Sequence, residues 1–148
     1  MIWKPHVTVA AVIESAGKFL LVEEETDDGI RFNQPAGHLE RGEALTDAVT
    51  REALEETAYH FVPSALVGVY NWHNEAKDVT YLRFAFTGDL AGHDAERALD
   101  TGIIAARWLS VSEIYALADR LRSPLVLRGI EDWQAGRRYP LDLLTHFR

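Results

Sequence analysis

Gly37-His38-Leu39-Glu40-Arg41-Gly42-Glu43 leads through Ala44 to Thr50 into Arg51-Glu52-Ala53-Leu54-Glu55-Glu56, and this stretch decides how the chain is read. From Leu45 to about Thr57, Ala and Glu abound and neither Gly nor Pro intervenes, which predicts a helix. At about 100° per residue, Leu45, Ala48 and Val49 share one stripe, and Glu52, Glu55 and Glu56 prolong it into the later turns. Spacings of three and four residues set Glu52 beside both other glutamates. A face that begins apolar points at the protein body, so carboxylates at its end repel one another and lose hydration. Such a cluster is costly unless a cation neutralises it. Hard oxygen donors favour Mg²⁺, Mn²⁺ or Ca²⁺ over zinc, and Mg²⁺ typically joins carboxylates to substrate phosphates. The helix also follows a Gly-containing loop, where free backbone N–H groups can face an anion.

Composition narrows the setting. The chain has 148 residues, one domain's worth, with 47% hydrophobic and 26% charged residues, ordinary for a globular protein. No cysteine is present, which excludes disulfides and thiolate metal sites. A formal net charge of −8 argues against broad binding to nucleic acid or anionic lipid. An acidic protein holds a polyphosphate only through local positive charge, which carboxylate-bound cations supply. No apolar run approaches the roughly 20 residues that span a bilayer, and no signal-peptide layout opens the chain, so a cytoplasmic location is expected.

Outside the helix the pattern is mostly extended. Strands are predicted at His6 to Glu14 and Lys18 to Glu24 around a Ser15-Ala16-Gly17 turn, with a short one over Ile30 to Gln34. Pro35-Ala36-Gly37 is expected to break that stretch into a loop. Further strands are expected at Ala65 to Trp72, Val79 to Phe86 and Ile103 to Leu109, with Gly88 to Gly102 a long loop. Ser110 and Glu113 form a capping-box pattern for a helix to about Leu121. Ser123-Pro124 opens a last helix that Gly136 ends. Mixed elements without regular alternation indicate α+β, one domain over 1–148.

By itself the acidic face is ambiguous, because an isolated Glu-x-x-Glu-Glu is ordinarily solvated, with Arg51 paired to Glu55. The longer pattern resolves it. Gly37, Glu43, Arg51, Glu52, Glu55 and Glu56 match in type and spacing the Nudix box, Gly-x5-Glu-x7-Arg-Glu-U-x-Glu-Glu-x-Gly-U with U aliphatic, over 37–59. Ala53 and Tyr59 depart from it, as does Ala58 in place of a Gly that normally permits a left-handed helix end. The helix must then end differently or accept roughly 1 kcal/mol of strain. The chain also resembles the NudJ-type branch of Nudix hydrolases. That likeness runs through Lys4 to Ala10, Phe32 to Glu40, Arg107-Trp108, Arg122-Ser123-Pro124-Leu125-Val126 and Gly136 to Leu141, nearly its full length.

The resemblance implies the Nudix fold, a mixed β-sheet sandwiched between helices. It also implies Mg²⁺-dependent hydrolysis of nucleoside di- and triphosphates or of thiamine and hydroxymethylpyrimidine diphosphates. Glu52, Glu55 and Glu56 become metal ligands, with the Gly37 carbonyl a further one and Mn²⁺ an alternative ion. Arg51 pairs with Glu43 or a ligand carboxylate and orients it. Glu55 is a candidate general base, as are the loop acids Glu75, Asp78, Glu96 and Asp100. Among Trp3, Tyr70, Trp72, Tyr81 and Trp133, Trp72 is favoured to stack on a substrate ring, because it ends a strand and enters a polar loop. His38, beside the box, and Arg31, Lys4 or Arg83 are candidate phosphate contacts, while His6, His73 and His93 show no metal spacing. Partners are small phosphorylated molecules rather than nucleic acid or membrane, and the protein is expected as a monomer or homodimer. The competing readings are another Nudix pyrophosphatase, for oxidised nucleotides or dinucleoside polyphosphates, and a sensing module that binds a nucleotide without cutting it. Such modules commonly lose box glutamates, and all are present here.

Overall fold

The computed structural model describes all 148 residues. Strands β1 (His6–Ala11), β5 (Ala36–His38), β6 (Tyr59–Asn74), β7 (Val79–His93) and β9 (Tyr139–Pro140) form a five-stranded sheet in the order β5-β1-β7-β6-β9. It is mixed, because β1 and β7 run parallel while the other neighbours are antiparallel. A second, smaller sheet is built on β3 (Lys18–Thr26), which pairs with β2 (Glu14–Ser15), β4 (Gly29–Asn33) and β8 (Ile103–Ser110). The helices are α1 (Leu45–Thr57), α2 (Val111–Ala116) and α3 (Leu125–Gln134).

Strands that read as continuous apolar runs do so because both faces are covered. Successive residues alternate between two cores. Val9, Ala11, Leu20, Leu66 and Phe86 pack with Ala48, Val49 and Ala53 of α1. Their neighbours Val12, Leu21, Val67 and Ala85 pack with Ile114 of α2 and Val126 and Ile130 of α3. The sheet is thus sandwiched between helices, as the family resemblance implied. No helix is long and apolar enough to cross a membrane.

Four local expectations are corrected. Pro35 does break β4, but Ala36–His38 re-enters the sheet against β1 instead of forming a loop. The stretch expected as a loop from Gly88 is strand up to His93, paired through bulges with a β6 that begins at Tyr59 rather than Ala65. Helix α2 stops at Ala116, and a 3₁₀ turn over Ala118–Arg120 follows. There Arg122 N–H donates to Phe32 O at 2.8 Å, a tertiary bond that draws the chain onto β4. Pro124 takes the N-cap position of α3, while the Ser123 hydroxyl still accepts from Leu125 N–H at 3.1 Å.

Ala58 ends α1 in the left-handed conformation at φ 62°, with its N–H on Leu54 O. This cap turns the chain directly into β6 at the cost of a residue that disfavours the conformation. The buried Cβ of Ala58 opposes the gain from glycine there. Relief of roughly 1 kcal/mol of strain is offset by about 0.8 kcal/mol for a lost buried methyl and by glycine's larger unfolded-state entropy. Ala58→Gly is therefore expected within about 0.5 kcal/mol of the parent in urea denaturation, and a gain above about 1 kcal/mol would show that strain dominates.

Candidate active site

Helix α1 delivers its acidic end to the side of β5. Glu52 lies so close to Gly37 that a Cβ built on that glycine would collide with the Glu52 carboxylate. Glu56 accepts from Ala36 N–H at 2.9 Å. Both carboxylates, with Gly37, stand in the wall of a cavity of about 450 Å³ that β4, the β6–β7 hairpin and the start of α3 also line.

Burial dominates their electrostatics. It pushes Glu56 up to about 9, against the opposing Ala36 N–H and with added repulsion from Glu52, Glu24 and Asp100. Glu52 also rises, chiefly by desolvation, although Arg51 pulls it the other way. Arg51 is the hub of the cluster. Its Nε and Nη2 grip Glu43 at 2.8 and 3.0 Å, and its Nη1 donates to Glu52 and Glu55 at 2.7 Å each. Nη2 also reaches His38 O at 3.1 Å. The expected pairing with Glu43 or a box carboxylate is realised with both, and it holds Glu43 below the usual carboxylate range. Arg51 spans Glu52 and Glu55, and no three acidic or His side chains converge in a ready-made cation cage.

Residues 4–128 match the NUDIX domain family. The chain is a Nudix hydrolase. Over 146 residues, 98% of this chain and 94% of that protein, it is 43% identical to Phosphatase NudJ of Escherichia coli strain K12. A solved NUDIX hydrolase from Nitrosomonas europaea is 52% identical with a TM-score of 0.95, over 97% of this chain and 98% of that one. The MutT protein of Methanosarcina mazei Go1 shares the fold at 24% identity and a TM-score of 0.72, over 93% of this chain and 99% of that one.

Of the other expected site residues, this Nudix chain brings Trp72, Tyr81, His38 and Arg83 into the cavity wall. Trp72 stacks on Tyr81 with ring centres 5.7 Å apart and planes 17° from parallel. Arg31 is not in the wall, since its Nη1 bonds to Ile30 O on its own strand. Lys4 and Trp3 are exposed outside it. Tyr70 donates to Asp132 at 2.7 Å, and Trp133 is held by Thr87 and Phe19, so both serve the α3 side of the core. Glu75 and Asp78 sit at the exposed tip of the β6–β7 hairpin, and Glu96 lies in the exposed segment after β7. Asp100 is different. Its N–H donates to Glu55 O at 3.0 Å, and its charge raises both Glu52 and Glu56.

Sequence reasoning gave no site role to Asn33, Gln34, Lys77, Arg122 or Ser123. Asn33, Lys77, Arg122 and Ser123 line the cavity, and Gln34 lies buried beside it. Asn33 and Gln34 carried the one available signal, since a polar side chain buried at the end of a strand needs a partner.

The Gly37 contact yields a discriminating expectation. The atoms a Cβ would meet are the far end of a flexible side chain, so Glu52 can swing aside and the fold survives. Gly37→Ala is expected to melt within a few degrees of the parent while kcat/KM falls about 10- to 100-fold, as for loss of an orienting contact. An unstable variant with intact activity per folded molecule would make Gly37 a requirement of the turn instead.

Proposed function

We propose that this protein hydrolyses phosphoanhydride bonds in small ring-bearing diphosphates and triphosphates with Mg²⁺, Mn²⁺ being able to substitute. The observation that carries this reading is that Glu52 and Glu56 share one cavity with the stacked Trp72–Tyr81 pair. Nucleoside di- and triphosphates and thiamine-type diphosphates are the substrate classes, supported by the nearly full-length likeness to Phosphatase NudJ.

The donor set suits a hard divalent cation. Its atoms are all oxygen, Glu56 is protonated at neutral pH unless a cation compensates it, and Gly37 leaves the Glu52 carboxylate room. Glu52, Glu56 and the Gly37 carbonyl would hold the ion, with Glu55 at the periphery because Arg51 engages it. An incomplete set of this kind leaves positions for water and phosphate oxygens. A bound cation would draw charge from the phosphate and acidify the attacking water. The chain's own residues do the remainder. Arg51 fixes the carboxylates, Trp72 and Tyr81 seat the ring, and Glu55, with Asp100 joined to its backbone, is the candidate base for the water.

A substrate panel with phosphate and pyrophosphate measured separately, with and without Mg²⁺, tests the reading. Mg²⁺-dependent cleavage of nucleoside or thiamine diphosphates is expected. Activity confined to dinucleoside polyphosphates or ADP-ribose would move the protein to another branch, and no cleavage at all would sink the proposal. In the same panel, Trp72→Ala is expected to weaken kcat/KM for ring-bearing substrates by roughly 1–3 kcal/mol. Inorganic triphosphate, which lacks a ring, should be cleaved as before; equal losses on both would make Trp72 a core residue.

A further inference from the structure

Strand register sets Thr8, Trp72, Tyr81 and Arg83 of the cavity wall in two rows. Thr8, Arg83 and Tyr70 are partners across β1, β7 and β6, and His6, Tyr81 and Trp72 form the next row. Side chains two residues apart on a strand share a face. Tyr81 and Arg83 therefore both face the α3 side, with Ala85 beyond them in the core that α3 covers.

Arg83 is only 7% exposed, yet none of the protein's ion pairs uses it. Its Nη2 donates to Gln34 Oε1 at 2.8 Å and Asn33 Oδ1 at 3.2 Å. Gln34 is in turn fixed by donating to Val126 O on α3 at 2.8 Å. No side-chain nitrogen is sealed away without a partner, so the remaining N–H groups of Arg83 open on the cavity it lines. Burial pushes its guanidinium down to about 10, which still leaves it charged at neutral pH. Glu24, one of two carboxylates that favour this charge from a distance, is already bonded to Arg122 at 2.6 Å. A buried cation without a carboxylate is expensive. A neutral donor would prop Gln34 and Asn33 equally well, so a purely structural role leaves the charge unexplained.

We propose that Arg83 is the anion-binding residue of this cavity and takes the phosphate adjacent to the organic group, with Gln34 as its positioning residue. This rests on the hydrolase reading above. Two residues along β7 span about 6.8 Å, so a ring stacked against Trp72 and Tyr81 brings its first phosphate to Arg83. The next phosphate then extends toward Glu52 and Glu56. The fork of the guanidinium suits a phosphate, which it can meet through two N–H groups at once.

The test uses adenosine monophosphate as an anionic probe, adenosine as its neutral counterpart, and adenosine diphosphate for turnover with Mg²⁺. In the wild type the monophosphate is expected to raise the melting temperature, and in Arg83→Gln it should not, while adenosine treats both alike. For the diphosphate, kcat/KM should fall about 10- to 100-fold in Arg83→Gln, the scale of a lost charged hydrogen bond, with partial recovery in Arg83→Lys. A wild type indifferent to the monophosphate, or an Arg83→Gln that responds as the wild type does, overturns the proposal. Should Arg83→Gln not fold, the Nε–H resonance of Arg83 in ¹⁵N-labelled wild type decides: a shift with the monophosphate alone supports the assignment, and no shift overturns it. A wild type that cleaves no diphosphate fails the functional reading, whereas an active wild type matched by Arg83→Gln fails only Arg83.

Discussion

Glu56→Gln is expected to fold and to lose at least about 10³-fold in metal-dependent hydrolysis. The side chain keeps its volume and can still accept from Ala36 N–H, the one hydrogen bond Glu56 makes. What it loses is the charge that would hold a cation, and a cation contributes several kcal/mol to a phosphoryl transition state. At about 1.4 kcal/mol per tenfold, that is three orders of magnitude or more. Glu52→Gln should behave alike, although it also gives up the ion pair with Arg51 at 2.7 Å. Glu55→Gln should lose less if Glu55 is a peripheral ligand, and comparably in kcat alone if it is the proton acceptor. Steady-state kinetics at saturating Mg²⁺, with circular dichroism to confirm folding, measures all three. Near-parental turnover in Glu52→Gln or Glu56→Gln would show that the cation sits elsewhere.

The acidic helix was readable because everything that specifies it is local. Its span, its apolar stripe of Leu45, Ala48 and Val49, and the meeting of Arg51 with Glu55 four residues on follow from spacing along one helix. The capping box at Ser110 was readable for the same reason, whereas the strands expected on either side of Ser15-Ala16-Gly17 separate: only Glu14–Ser15 pairs with β3, and β1 joins the five-stranded sheet. What escaped depends on partners far along the chain. Ala36–His38 is a strand only because β1 offers an edge, and the polar end of β7 is a strand only because β6 begins at Tyr59 to receive it. Helix α2 is cut short where Arg122 finds Phe32, 90 positions away in sequence. The cavity divides in the same way. Its acidic wall came from the helix, whereas the choice of Arg83 over Arg31 and Lys4 required register across three strands. Fold class survives such errors because the division of β1, β3, β6 and β7 side chains between the two cores is set by composition on both faces, not by where each strand stops.

Glu56 should also govern how the metal-free protein responds to pH. Its carboxyl moves from 4.5 to about 9 on folding, so the folded chain binds that proton more tightly than the unfolded chain does. Stability from this group is therefore fully present below 4.5 and is lost as pH rises toward 9, by up to about 1.4 kcal/mol for each pH unit crossed. Glu52 shifts in the same direction and adds to the trend. Glu43, lowered by Arg51, has the opposite sign, but its window lies below 4.5 and leaves this range untouched. With chelator present, the wild-type melting temperature should fall steadily between pH 5 and pH 9. Glu56→Gln cannot ionise there, so its curve should be flatter and cross above the wild type by about pH 8. Millimolar Mg²⁺ should lift the wild type at pH 8, because a cation that binds the folded state alone stabilises it by mass action. It should do little for the variant. If the chelated wild type were as flat as Glu56→Gln, the carboxyl would be hydrated rather than buried, and the strongest physical reason for placing a cation beside it would be gone.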